Sequence, residues 1–152
     1  FGDKQFDLVV MTDVLEHIDD DQSTLQHAFA RTKPGGYFVA TVPALRWLWT
    51  DRDVAHHHKR RYRRHELRER VQAAGFRIQS ISYYNTWLFP LVAAMRVKDR
   101  VIGAEYEDDL QLPSPFVNQM LHRLFASERH LLGRVLLPVG VSLIVVAQKP
   151  AA

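Results

Sequence analysis

Phe6-Asp-Leu-Val-Val-Met-Thr-Asp-Val-Leu-Glu-His-Ile18 is the stretch on which the reading of this chain turns. Its apolar run has no polar alternation, so Phe6 to Thr12 is expected to form a strand buried on both faces, as in a parallel sheet covered by helices. The polar residues Asp13, Glu16 and His17 follow at once. In open parallel sheets ligands lie just beyond the carboxyl ends of the strands, so chemistry is expected there.

Working outward, Asp19-Asp-Asp21 suits a helix N-terminus, where carboxylates cap free N–H groups and oppose the helix dipole. Leu25, Ala28, Phe29 and Thr32 continue at helical spacing, and Lys33-Pro-Gly-Gly36 is expected to end that helix in a turn. Tyr37 to Val42 reads as the second strand, closed by Pro43. After a long loop, Leu67, Val71 and Ala74 mark a helix that stops at Gly75, and Phe76 to Tyr84 a third strand. Trp87, Leu91, Ala94 and Met95 suggest one further helix, and Val117, Met120, Leu121, Leu124 and Leu131 another. Glu105 to Asp109 and Pro113-Ser-Pro115 read as an exposed connection between them. Val141 to Gln148 is the last strand.

Composition fits a single globular domain: 152 residues, 47% hydrophobic, enough for a sizeable core. Much of the formal charge of +3 lies in Lys59-Arg-Arg-Tyr-Arg-Arg64. A short run of this kind reads first as a solvated loop or helix start and only second as a surface for phosphate, so no nucleic-acid partner is expected. The absence of cysteine excludes disulfides and thiolate-held metals, and is compatible with the expected cytoplasmic location. Val135 to Ala147 is apolar but interrupted by Pro138 and Gly140, and falls well short of the ~20 residues that span a bilayer. No transmembrane segment is expected, which leaves peripheral membrane contact open. The chain enters a core strand within a few residues of Phe1, without a methionine, as the middle of a domain would.

The order of elements, and the phrases Val14-Leu-Glu-His-Ile18, Lys33-Pro-Gly-Gly36, His58-Lys-Arg-Arg-Tyr62, Ala73-Ala-Gly-Phe76 and Gly140-Val-Ser-Leu-Ile-Val-Val-Ala147, resemble the second half of a class I S-adenosylmethionine-dependent methyltransferase. The resemblance implies an α/β fold: the C-terminal half of a Rossmann-like, doubly wound sheet. Its last strand would run antiparallel between its two predecessors, with a helical insertion or lid over 86–137 before it. Residues 1–152 are then a partial methyltransferase domain. The glycine-rich cofactor loop of the family is missing, since no Gly-x-Gly occurs, so S-adenosylmethionine binding is expected to be weak without a further N-terminal half. Arg63 stands where many relatives have a capping threonine, a loss of about 1 kcal/mol.

The resemblance further implies Met11, Thr12, Asp13 and Val14 as cofactor contacts. Glu16, His17 and His58 are the candidate catalytic residues, histidine being the natural proton acceptor for a hydroxyl or amine. His56 and His57 are expected to face solvent. Asp13, Glu16 and His17, with His58 after the next strand, also resemble the divalent-metal site of some ubiquinone-pathway and small-RNA methyltransferases. Oxygen and imidazole ligands suit magnesium, manganese or iron. Trp47, Trp49, Trp87 and Phe89 are candidates for an apolar acceptor pocket. The expected activity is methyl transfer to a small-molecule or lipid-like acceptor, at oxygen. The alternative is a half-domain without catalysis that serves as a binding or interaction module.

Overall fold

In the computed structural model, residues 4–102 and 114–151 are described. The four strands are β1 (Phe6–Thr12), β2 (Thr32–Pro43), β3 (Arg77–Tyr84) and β4 (Ser142–Gln148). The helices are α1 (Asp21–Arg31), α2 (Asp51–Ala55), α3 (Arg64–Ala73), α4 (Phe89–Ile102) and α5 (Pro115–Ser127). The sheet order is β1-β2-β4-β3. β1 and β2 are parallel, and β4 is antiparallel to both β2 and β3. The last strand therefore lies between its two predecessors, as expected.

Alternation along the strands builds the core. Phe38, Ala40 and Val42 of β2, Leu143, Val145 and Ala147 of β4, and Ile81 and Tyr83 of β3 are buried together with Leu25 and Ala28 of α1 and Leu67 and Val71 of α3. Phe76 stacks on Phe38 and meets Phe29 edge-on, which joins sheet and helix through aromatic rings.

β1 departs from expectation. Among the described residues it pairs only with β2, and its side chains alternate. Val9 and Met11 pack on the core, whereas Leu8 and Val10 are 54% and 53% exposed. A continuous apolar run looks the same in sequence whether both faces or one are covered, and here α1 covers one.

The start of β2 carries the turn expected after α1. α1 ends at Arg31, with the Thr32 N–H returning to Ala28 O and Phe29 O. Lys33-Pro-Gly-Gly36 then loops out of the β1–β2 pairing as a turn: Thr32 pairs with Phe6 and Tyr37 already with Leu8, Gly35 takes a positive φ of 77°, and Lys33 binds Asp7. A register shift between Phe6 and Leu8 absorbs the irregularity. Gly36 is required there, since a Cβ would come within 2.9 Å of Lys33 O. Pro115 is not loop: Ser114 accepts from the Val117 N–H as an N-cap and Pro115 opens α5. Leu131 lies beyond α5, after a short 3-10 turn. Glu105 to Asp109 and Pro113 lie outside the described residues.

Arg63 precedes α3 without a capping hydroxyl, yet the Glu66 carboxylate accepts its backbone N–H at 3.0 Å. Half of a capping box therefore survives. The helical excursion is tied to the sheet at its base. Glu128, 3% exposed, accepts from the Asn85 and Trp87 N–H groups at 2.6 and 2.8 Å, and Thr86 Oγ1 donates to Val139 O at 2.6 Å. α4 and α5 themselves bury no residue.

The turn into β4 is the tightest backbone approach, for a Cβ on Gly140 would lie 2.2 Å from Tyr84 O. Gly140→Ala must push β3 and β4 apart at their Tyr84–Ser142 pair. It is expected to cost about 1–3 kcal/mol, read as a lower urea midpoint with unchanged slope.

Candidate functional site

At the carboxyl end of β1 the chain turns sharply. Asp13 takes a positive φ of 51°, and its N–H donates to Thr41 O at 3.0 Å, which holds the turn against the next strand. Leu15 to His17 form a 3-10 turn. This turn points Glu16 inward, 0% exposed, and leaves His17 exposed. Among the described residues neither Glu16 carboxylate oxygen has a hydrogen-bond partner. Burial pushes its pKa up to about 7, partly opposed by its own backbone and reinforced by the Asp13 charge.

The loop after β2 brings the third member. The Lys59 N–H donates to Glu16 O at 2.7 Å, which seats His58 against the turn. The His17 and His58 rings meet edge-to-face with centroids 4.8 Å apart. One ligand atom each of Glu16, His17 and His58 lies within 4.8 Å of the other two. Asp13 is not part of this group; its residue is exposed, and it reaches Glu16 only through charge. His56 and His57 are exposed, as expected.

Sequence reasoning missed what lies behind His58. The Asp53 carboxylate, 2% exposed, sits 2.9 Å from His58 Nδ1 and accepts from Arg61 at 2.9 and 3.1 Å and from the Thr50 N–H at 2.9 Å. Burial alone would raise its pKa, but the Arg61 and His58 bonds outweigh that and hold it below the usual carboxylate value. Asp53 is therefore an ionised acceptor, so His58 carries its proton on Nδ1 and leaves Nε2 available when neutral. The only signal in sequence was an aspartate five residues before His58 and eight before Arg61.

A second buried carboxylate, Asp21, anchors the same loop. It accepts from the Tyr62 hydroxyl at 2.6 Å and pairs with Arg60 at 3.1 Å and with Arg70. Burial first, then the bond to Asp21, pushes the Tyr62 hydroxyl far above its ordinary range. Lys59 also lies 3.6 Å from Asp19. Arg60 and Arg61 are therefore ion-pair partners of buried carboxylates, whereas Lys59, Arg63 and Arg64 are exposed, as expected of a solvated loop and helix start. Tyr84 is a further unanticipated neighbour. Its hydroxyl is raised by burial and by the Asp13 charge, and partly lowered by hydrogen bonding with Thr41 and Ser142.

The aromatic candidates come together only in part. Trp47 meets Phe89 edge-on at 6.0 Å, and Arg100 donates to Trp47 O, which ties α4 to the loop after β2. Trp87 is 50% exposed and Trp49 half-buried. Trp47 lines a cleft of about 370 Å³ with Leu45 and Tyr83, whereas Trp49, Trp87 and Phe89 do not.

Glu16 also gives the site a pH signature. In the unfolded chain its carboxyl titrates near 4.5, in the folded chain near 7. Between these values the folded state holds the extra proton, so stability falls as pH rises through this window and stays lower above it. The difference is worth roughly 3 kcal/mol. Glu16→Gln is expected to remove that decline, seen as a flatter dependence of unfolding free energy on pH from 4.5 to 8 in urea titrations. An unchanged slope would show that Glu16 is not the group responsible.

Residues 1–81 match the family model described as "Methyltransferase domain". A search of curated proteins gives no match. Among solved structures, the chain is similar to a putative methyltransferase from Bacillus halodurans, with a TM-score of 0.57 and 13% identity over 99% of this chain and 67% of that one. It is similar to a SAM-dependent methyltransferase from Archaeoglobus fulgidus, at 0.53 and 19% over 97% and 61%. It is also similar to Haemonchus contortus phosphoethanolamine N-methyltransferase 2, solved with S-adenosyl-L-methionine, at 0.52 and 18% over 95% and 33%. The chain thus spans between a third and two thirds of these neighbours. No helix among the described residues is long and apolar enough to cross a membrane. The family match over more than half of the chain, on a sheet whose last strand is antiparallel, means that this chain belongs to the class I S-adenosylmethionine-dependent methyltransferase family.

Proposed function

We propose that this chain supplies the proton-handling and acceptor-binding part of an S-adenosylmethionine-dependent methyltransferase that acts at oxygen on a small-molecule or lipid-like acceptor. The observation that carries the reading is the meeting of Glu16, His17 and His58 at the carboxyl end of β1, with Asp53 and Arg61 behind His58. The cofactor supplies an activated methyl group, so the protein needs mainly to align the acceptor and take its proton. His58 Nε2, kept available by the Nδ1–Asp53 bond, is suited to accept that proton, and His17 lies beside it. Glu16, with a pKa near 7 and no partner of its own, is suited to share the proton.

Met11, Thr12, Asp13 and Val14 fit the cofactor in part. They line the carboxyl end of an edge strand, and Val14 presents an exposed apolar surface there. A glycine loop for close backbone approach is absent from the sequence. The 152-residue chain is therefore expected to bind S-adenosylmethionine weakly or undetectably by calorimetry, and a longer protein with a glycine-rich loop to bind it readily. Tight binding by the chain itself would show that the loop is dispensable.

In that longer protein His58→Ala should lower kcat about 100-fold or more with little change in cofactor affinity. Asp53→Asn should lower kcat less and shift its pH profile, because it acts through His58. A silent His58→Ala would remove the proton-transfer role.

Glu16, His17 and His58 also offer one oxygen and two nitrogen donors for magnesium, manganese or iron. Their separation of up to 4.8 Å slightly exceeds the about 4.2 Å across two opposed 2.1 Å ligand bonds, so modest side-chain closure would be needed. The orphaned Glu16 oxygens favour such an ion. A bound cation would lower the pKa of an acceptor hydroxyl. Unchanged turnover in chelator would leave the histidines as plain bases.

The excursion over 86–137 is proposed to govern acceptor choice, since α4 reaches Trp47 through Phe89 and Arg100. Replacing it by a short turn in the longer protein should abolish transfer and leave cofactor affinity nearly intact. Equal loss of both would mark it as core.

A further inference from the structure

The basic run contains two arginines that the ion-pair network does not use. Lys59, Arg60, Arg61 and Arg70 all pair with Asp19, Asp21 or Asp53. Arg63 and Arg64 are exposed, and among the described residues neither guanidinium is paired with a carboxylate. Both line the cleft of about 370 Å³ that opens beside Arg46, Trp47, His65 and Tyr83. Arg64 lies over the Tyr83 ring, 6.0 Å from its centroid, so its plane is supported from below. Arg46 is braced by Glu66 at 2.8 Å. A neighbouring cleft, lined by Arg60 and Arg70, differs in that both of these arginines are neutralised by Asp21.

The position of the cleft matters as much as its charge. Leu45 and Arg46 follow the carboxyl end of β2, Tyr83 is near the carboxyl end of β3, and β2 and β3 run the same way on either side of β4. The cleft thus opens on the same edge of the sheet as Glu16, His17 and His58. Leu45 N–H donates to Tyr62 O at 3.0 Å, so cleft and histidine cluster share one loop.

We infer that this cleft binds an oxyanion, the phosphate or carboxylate head of the methyl acceptor, through the guanidinium groups of Arg63 and Arg64, with Trp47 and Tyr83 flanking the adjoining part of the molecule. The inference rests on the methyl-transfer reading only for calling the ligand an acceptor. Planar guanidinium forks match both oxyanions, and the volume suits a small head group.

The test uses the 152-residue chain, with inorganic phosphate and acetate as probes, followed by NMR at low ionic strength. One of the two is expected to bind with a Kd of about 1–10 mM, shifting the signals of residues 63–65 and Tyr83. Phosphate binding alone assigns a phosphoryl head, acetate binding alone a carboxylate, and both a site generic for oxyanions. Arg63→Gln with Arg64→Gln should weaken binding about 10-fold or more. The Arg63→Lys, Arg64→Lys variant keeps the charge and loses the fork, and should weaken it less. If the glutamine variant does not fold, the lysine variant and each single Gln variant carry the comparison. Binding of neither probe, or equal binding by all variants, overturns the proposal. Because no cofactor is present in this titration, its failure is distinct from a failure of methyl transfer, which is read separately by cofactor calorimetry and turnover.

Discussion

The site depends on the need of two buried carboxylates for cations. Asp53 and Asp21 are 2% and 1% exposed, and a carboxylate in such surroundings is tolerable only when it is paired and hydrogen-bonded. The loop after β2 meets that need. Arg61 and His58 converge on Asp53, and Arg60 and Tyr62 on Asp21. A stretch of the chain with little regular structure is thereby fixed between the end of β1 and the start of α3. Breaking one partner of such a pair leaves a buried charge uncompensated, so the geometry is held by penalty as much as by attraction.

Glu16 is the exception that gives the arrangement its interest. It is as buried as Asp53, yet among the described residues no other group donates to it, and burial raises its pKa to about 7. Beside it stand two imidazoles, one oriented from behind by Asp53. Asp21 and Asp53 are matched by cations and Glu128 by backbone N–H groups, while Glu16, at the strand end where ligands of α/β sheets lie, forgoes such stabilisation among the described residues. Among the described residues Arg63 and Arg64 likewise have no carboxylate partner, on the same edge.

Much of this was legible in the sequence. The apolar runs located the four strands among the described residues, glycine and proline placed the ends of α1 and α3, and the family phrases implied the antiparallel insertion of β4, whereas α2 fell in what reads as a long loop. His58 was separable from its two histidine neighbours by its place before Lys-Arg-Arg-Tyr, and Glu16 and His17 by their place after β1. The clearest departures have local causes. β1 is open on one face because coverage is a property of what packs against a strand, and Pro115 is helical because Ser114 caps α5.

Periodicity and turn chemistry are local, so the sequence by itself determined most of the elements and their order. Pairing among charged residues is not local. Which of the cations between Lys59 and Arg70 are spent on Asp19, Asp21 or Asp53, and which are left facing a cleft, follows from carboxylates up to 49 positions away. Only the tertiary structure decided that Asp53 stands behind His58, that Asp13 stays out of the Glu16 cluster, and that Glu16 is buried without a partner. Each of these depends on the three-dimensional distance between groups and on the water excluded around them, and neither quantity is written along the chain.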